Sequence, residues 1–331
     1  MMAYIQIIPT DSLFFGSGKP FNAGADSWTD SSLLPNPSVI WGALFSVLYR
    51  EKKVTVKEKE KLKIKNIYLY NEEQTTILIP TPLDIFVDSE GNRYKGEYRD
   101  VDFISNYSLP VINIVKDKDV KPIENSFIEI NSLYEEYYEN NFDDLVLFNF
   151  DEVFMADYKI GIKMDKETLT AQDNYLYRVD LTQFKNEWSF LIEYESDIEF
   201  NKSGLLKFGG ESKTAYYKQI EKPIGITDYE EYRDEMIEEL KDESELKIIF
   251  KTPVYFENGW KTKNNEIICA NIGKPISIGG FDMEMNKPKI MKKYISAGSV
   301  FVFKKDGKMD IESEDDESYK GFGSYELLKK D

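Results

Sequence analysis

The 331-residue sequence contains no histidine. The side chain that most often serves as general acid, general base or metal ligand near neutral pH is therefore missing. Ser-His-Asp systems, Cys-His systems and every His-based metal site are excluded. Cys269 is the only cysteine, which also excludes intramolecular disulfides and Cys-type zinc sites. Gly279–Asp282 (GGFD) has the glycine pair of a two-metal turn, but that chemistry needs paired carboxylates and Phe281 fills one of the two positions. We read it as a plain turn. No catalytic residue, no resident metal and no cofactor is expected.

What remains is chemistry suited to a phosphate backbone. In Gly16–Gly24 (GSGKPFNAG) the glycines let backbone N–H groups approach an anion, beside Lys19 and Phe21. The spacing is not that of a Walker A loop, and a structural turn is the competing reading. Phe208–Lys213 (FGGESK) pairs Gly209 and Gly210 with flanking Lys207 and Lys213; a hairpin needing positive φ is the alternative. Asn286–Ser299 carries Lys287, Lys289, Lys292 and Lys293 without an acid, as backbone contacts or as solvated lysines. Lys320–Gly323 (KGFG) matches the first four positions of the RNA-recognition octapeptide. Ser324 then replaces an aromatic residue, so a glycine loop touching backbone is favoured over base stacking by Phe322.

The elements that must hold these loops read as mixed α and β. Ala3–Pro9 is a strand, followed by a long Gly/Ser/Asn/Pro-rich stretch from Leu13 to Asn36. Val39–Arg50 has helical spacing, with Ile40, Ala43, Leu44, Val47 and Leu48 on one side and Ser38 as its cap. Gly42 inside it costs about 1 kcal/mol against Ala, tolerable where a backbone or ligand comes close. Residues 51–65 read as an exposed linker or helix, and 131–150 as an acidic surface helix. Further strands are expected at 67–71, 76–80, 158–164, 174–180, 188–195, 245–256, 267–272, 276–285 and 295–304, with an acidic helix at 229–240.

The net charge of −18 is unevenly placed. Residues 124–157 carry ten acids and no base, 230–245 a net of −7, and 310–317 six acids. These blocks hold −23 between them, leaving the rest of the chain at +5. They read as solvated faces or as docking surfaces for a basic partner. No apolar run approaches the ~20 residues that cross a bilayer, and no secretory signal is visible, so a cytoplasmic location is expected.

Six segments stand in fixed order. They are PTDSLFFGSGKPF (9–21) leading to LLPNPSVIWGAL (33–44), KIGIKMDKETLTAQDNYLYRVD (159–180), LLKFGGESK (205–213), LKIIFKTPVYFENGW (246–260), SAGSVFVF (296–303) and KGFGSYELL (320–328). Together they resemble the RAMP-superfamily subunit of the type III-B CRISPR (Cmr) effector complex that binds the guide-RNA 5′ handle. Ser17 stands where that family usually has a basic residue, and 88–157 match nothing in it. The resemblance implies an α+β chain of two ferredoxin-like domains, 1–226 with an insertion around 88–157, and 227–331. It implies a non-catalytic subunit with three partners: the guide-RNA 5′ handle, the large polymerase/cyclase subunit and the backbone RAMP subunit. The RNA-binding residues it implies are Gly18, Lys19, Phe21, Asn22 and Ser38 near the N-terminus, and Lys207, Gly209, Gly210 and Lys213 in the central turn. Lys292, Lys293, Gly298, Gly321 and Gly323 complete the set. Such a sheet has helices on one face and leaves the other free for single-stranded RNA. The alternatives are the equivalent type III-A subunit, a protein–protein adaptor without RNA contacts, and a guide-processing ribonuclease working through Tyr and Lys.

Overall fold

The computed structural model describes residues 2–16, 27–29, 34–100, 109, 111–116, 118–164, 167–168, 170–185, 187–263, 265–282, 286–305 and 311–330. The first module contains β1 (Met2–Pro9), α1 (Pro37–Arg50), β2 (Leu62–Asn71), β3 (Thr76–Pro80), β4 (Ser126–Glu129) and β5 (Leu147–Asn149). It continues through β6 (Phe154–Met164), β7 (Ala171–Phe184), β8 (Trp188–Ser196), β9 (Ser203–Lys207) and β10 (Thr214–Ile220). After α2 (Ile224–Glu239) come β11 (Glu245–Phe250), β12 (Ile267–Asn271), β13 (Ile276–Ile278), β14 (Lys292–Tyr294), β15 (Val300–Lys304) and β16 (Tyr325–Lys329).

Two antiparallel sheets dominate. The larger runs β5-β4-β3-β2-β8-β1-β10-β9 and the smaller β12-β15-β11-β16. At the centre of the larger lies β10-β1-β8-β2, in which the first strand sits between the last and the third. The smaller sheet repeats that order. A long β6–β7 ribbon forms a ladder of its own, with Ser27–Thr29 parallel to β7, and its base packs on the larger sheet through Phe154 and Phe184. It exposes Tyr158, Ile160 and Ile162 on one side.

Residues alternate between the faces of a strand, so each sheet has two faces to cover. On the first face of the larger sheet, Ile5, Ile7, Phe190 and Ile192 pack against Ile40, Leu44, Val47 and Leu48 of α1. Full burial of each such side chain stabilises by ~1.5–3 kcal/mol. On the second face, Tyr4, Tyr68, Tyr70 and Leu191 meet Tyr229 and Met236 of α2, and Ile249, Val300 and Leu328 of the smaller sheet. The outer face of the smaller sheet is covered by loops rather than a helix, with Val254, Phe256 and Ile295 on Phe250 and Phe301.

The interface between the sheets holds two buried ion pairs. Lys247 Nζ lies 3.2 Å from Asp84 Oδ2, with both side chains at 1 % exposure or less. Tyr137 Oη donates to the same carboxylate at 2.8 Å. Lys251 pairs with Glu326, which also accepts from Tyr229 and, at 2.9 Å, from Tyr134.

Several expectations change. The second face of the larger sheet is not free, because α2 and the smaller sheet cover it. Asn36 occupies the N-cap of α1 and Pro37 opens the helix, so Ser38 is already inside the first turn. Residues 131–150 form no acidic surface helix. They contain one wide turn, Leu133–Tyr137, whose Leu133, Tyr134 and Tyr137 are buried because the two tyrosines serve the ion pairs. Part of the 51–65 segment is strand, since β2 begins at Leu62. The boundary drawn between 226 and 227 falls inside α2, whose buried side contacts both sheets. No helix among the described residues is long and apolar enough to cross a membrane.

Candidate nucleic-acid interface

A groove of about 870 Å³ separates α1 from the second half of the chain. One wall is a stripe of α1, Ser38, Trp41, Gly42, Phe45 and Tyr49, at helical spacing. The stripe is ordered from below: Trp41 Nε1 donates to Leu62 O at 2.9 Å, and its ring stacks on Phe45 with centroids 4.5 Å apart. The facing wall comes from 287–294 and 315–322. Lys292 Nζ sits 4.5 Å over the Tyr255 ring, and Phe322 packs on Tyr294 at 5.0 Å. Tyr294 Oη donates to Asp315 at 2.9 Å, which fixes the floor. Nothing would lie within 4 Å of a Cβ added at Gly42, so the helix backbone is open to the groove there.

The electrostatics are mixed. Glu317 accepts from Lys289 and pairs with Lys320 at 2.7 Å. Burial pushes the Glu317 carboxyl up, but the hydrogen bonds and charges of Lys320 and Lys289 outweigh it and hold it below its ordinary value. Lys320, 6 % exposed, lies 5.0 Å over the Trp41 ring. Burial pushes its pKa down to about 8, against the opposing pull of Glu317. Asp315, Asp316 and Glu317 of the acidic block thus line the groove, and Glu317 neutralises part of its basic wall. Lys287, Lys292 and Lys293 form no ion pair among the described residues.

The structure divides the expected residues into two described places. Ser38 and Lys292 line the groove, Lys293 follows on β14, and Lys320 and Phe322 of the glycine loop complete the wall. The second place is the turn after β9. Gly209 has φ +84°, and a Cβ there would meet Phe14 O at 2.6 Å. Gly210 N–H donates to the same carbonyl at 2.8 Å. Lys213 Nζ is held 2.6 Å from Asp11 Oδ2, while Lys207 is exposed. These two places share no lining residue. Gly18, Lys19, Phe21 and Asn22 lie outside the described residues.

Three glycines serve the chain's own packing. Gly298 (φ +83°) approaches Thr81 O and receives Leu83 N–H at 2.9 Å, which clips the smaller sheet to the larger module. Gly321 (φ +95°) lies on Ile64, and Gly323 (φ +72°) fits between Val254 and Ser313. Phe322 is 5 % exposed, so its ring is engaged inside the fold. Sequence reasoning did not single out Trp41, although its place one turn after Ser38 was a usable signal. Nothing local marked Lys320 as buried. Among the described residues no group of three or more acidic or thiol side chains converges as metal ligands would.

The comparisons agree with this architecture. The family described as CRISPR-associated protein (Cas_Cmr3) matches residues 5–328. Over 242 residues the chain is 25% identical to the CRISPR system CMR subunit Cmr3 of Saccharolobus solfataricus, spanning 70% of this chain and 68% of that protein. A chain in the cryo-EM structure of the type III-B Cmr-beta bound to cognate target RNA shares the fold with a TM-score of 0.54 at 18% identity, over 90% of this chain and 86% of that one. A chain of the same assembly with cognate target RNA and AMPPnP, in state 1, gives 0.52 at 18% identity and the same coverage. The type III-A alternative is set aside by the family match. That match takes in all six collinear segments and nearly all of both sheets, and the chain belongs to the CRISPR-associated Cmr3 family, subunits of type III-B Cmr complexes.

Proposed function

We propose that this chain is the non-catalytic subunit that grips the 5′ handle of the guide RNA and docks the large polymerase/cyclase subunit. Its two modules are ferredoxin-like units in which loops replace some helices, a reading supported by the strand order that both sheets share. The carrying observation is convergence. Segments around Ser38, Lys292 and Lys320, far apart in sequence, meet in one groove lined with aromatic rings and lysines. That combination suits a single strand, whose phosphates want cations and whose bases want flat apolar partners. The solved relatives carry target RNA, which makes RNA the natural occupant. With both faces of the larger sheet covered, the strand runs along this groove and over the module rims. The absence of histidine favours binding without cleavage.

Gly42→Ala tests this reading. Alanine should stabilise α1 by ~1 kcal/mol, because nothing in the fold opposes the added methyl. If RNA rests against the helix there, the same variant should retain less guide in the assembled complex. A variant that is more stable and keeps its guide in full would place the RNA elsewhere. Cross-links to partner proteins only would favour the adaptor reading.

A further inference from the structure

Two adjoining cavities of about 540 and 660 Å³ open at the end of the larger sheet where β1 begins. Met2, Glu193 and Arg233 line both. Glu193, on β8, is 4 % exposed and accepts from Asn66 Nδ2 at 2.6 Å and from Tyr68 Oη at 3.5 Å. The lysines around it are already paired: Lys65 with Glu195 at 3.0 Å, Lys222 with Glu230, and Lys251 with Glu326. Glu221 is exposed to solvent. Glu193 itself has no ion-pair partner among the described residues. Arg233, on α2, lies over the Tyr229 ring at 5.6 Å; its one ion pair among the described residues is with its exposed sequence neighbour Asp234, at 3.5 Å, and the Glu326 and Glu230 charges act on it from further away. A buried carboxylate and a half-buried guanidinium thus line the same space without neutralising each other. Burying a charge is costly unless it is partnered, so an occupant that offers donors to one and acceptors to the other is favoured.

We propose that this cleft takes a guanine base, from RNA or from a free guanine nucleotide. The N1–H and N2–H groups of guanine suit the carboxylate, and O6 with N7 suits the guanidinium. Adenine presents an acceptor at N1, which the Glu193 carboxylate repels. Tyr4 and Tyr325 supply ring surface at the walls. Gly323 and Ser324 of the C-terminal glycine loop line the first cavity, so the site continues a segment used by the guide-RNA reading and rests on it for its RNA source.

The test uses the full chain and fluorescence anisotropy with three labelled single-stranded hexanucleotides: all adenine, one central guanine, and one central inosine. The guanine strand should bind at least about tenfold tighter than the adenine strand, with inosine, which lacks the N2 amine, between them. GMP should compete and AMP should not. Glu193→Gln should abolish the preference by weakening the guanine strand, while the adenine strand, relieved of the carboxylate's repulsion, should bind no more weakly than before. Arg233→Met, on the outer helix, should also reduce it and covers the case that the Glu193 variant does not fold. Equal binding of the three strands, with AMP competing as well as GMP, overturns the inference and leaves the RNA reading standing. Binding of GMP, and not AMP, in isothermal titration calorimetry without binding of any strand retains the pocket and overturns its RNA source. A guanine preference that survives both substitutions, or no binding of any probe, overturns the site.

Discussion

Replacing Lys320 with methionine should stabilise the protein at neutral pH and remove part of its alkaline pH response. The Lys320 side chain is 8% exposed, and burial holds its pKa at about 8 against an ordinary 10.5. A base whose pKa is lower in the folded than in the unfolded state opposes folding when protonated. Its share of stability is complete above 10.5 and is lost as the pH falls through 8. At ~1.4 kcal/mol per pKa unit the gap corresponds to about 3 kcal/mol. Against this stands the contact with the Trp41 ring, worth ~1–2 kcal/mol when desolvated. Glu317 keeps Lys289. The net gain for Lys320→Met at neutral pH is therefore about 1–2 kcal/mol. Urea denaturation of both proteins between about pH 7 and 9.5 reads it out. The advantage of the variant should shrink steadily above about pH 8, while titrations common to both proteins cancel. A difference that stays constant across this range would refute the argument, since it would show that Lys320 is charged throughout.

Other outcomes follow from single contacts. Lys251→Met leaves the Glu326 carboxylate buried without its cation and should cost ~3–5 kcal/mol, much of it restored when Glu326 is also made apolar, as urea midpoints would show. Gly298→Ala forces a Cβ to 2.6 Å from Thr81 O at φ +83° and should destabilise by ~1–3 kcal/mol, seen as a lowered Tm. Lys292→Glu should weaken guide retention and lower the salt slope by about one. Reversal of the exposed Glu238 and Glu239 should leave retention intact in the same titration.

Much of the fold was legible because it depends on local pattern. The apolar spacing of 39–50 gave α1, and the Gly-Gly between two alternating runs gave the β9–β10 hairpin. The helix at 229–240 appeared with its N-terminus five residues early, because Pro223 sets the start and no polar cap marks it. The tyrosines of 131–150 misled for a different reason. Among so many acids they look like a solvated helix, yet Tyr134 and Tyr137 are buried against groups distant in sequence, Glu326 for the first and Asp84 with Lys247 for the second. In the candidate site, the basic stretch around Lys292 was visible as composition. The partners that decide its net charge were not, since Glu317 reaches Lys289 across 28 residues.

The strand β11 shows why the covered sheet face escaped notice and how that face bears on the proposed RNA path. Its sequence, ELKIIF followed by Lys251, places Lys247, Ile249 and Lys251 on one side and Ile248 and Phe250 on the other. Two lysines on one side read as a solvent face, or as the face of an RNA-binding sheet. In the fold that side is the interior between the two sheets. Each lysine gains a carboxylate there, Asp84 from the first module and Glu326 from β16, and each carboxylate gains a tyrosine donor. Buried pairs of this kind add little net stability, because desolvation offsets their attraction. Their strong effect is on alternatives: sliding one sheet over the other by a residue would part Lys247 from Asp84, stranding two charges away from water, and would draw the Tyr134 donor away from Glu326. The two faces that could have served as flat RNA platforms are thereby committed to each other. On the proposed reading, a guide strand is left with the groove beside α1, the rims where the glycine turns lie, and the β6–β7 ribbon.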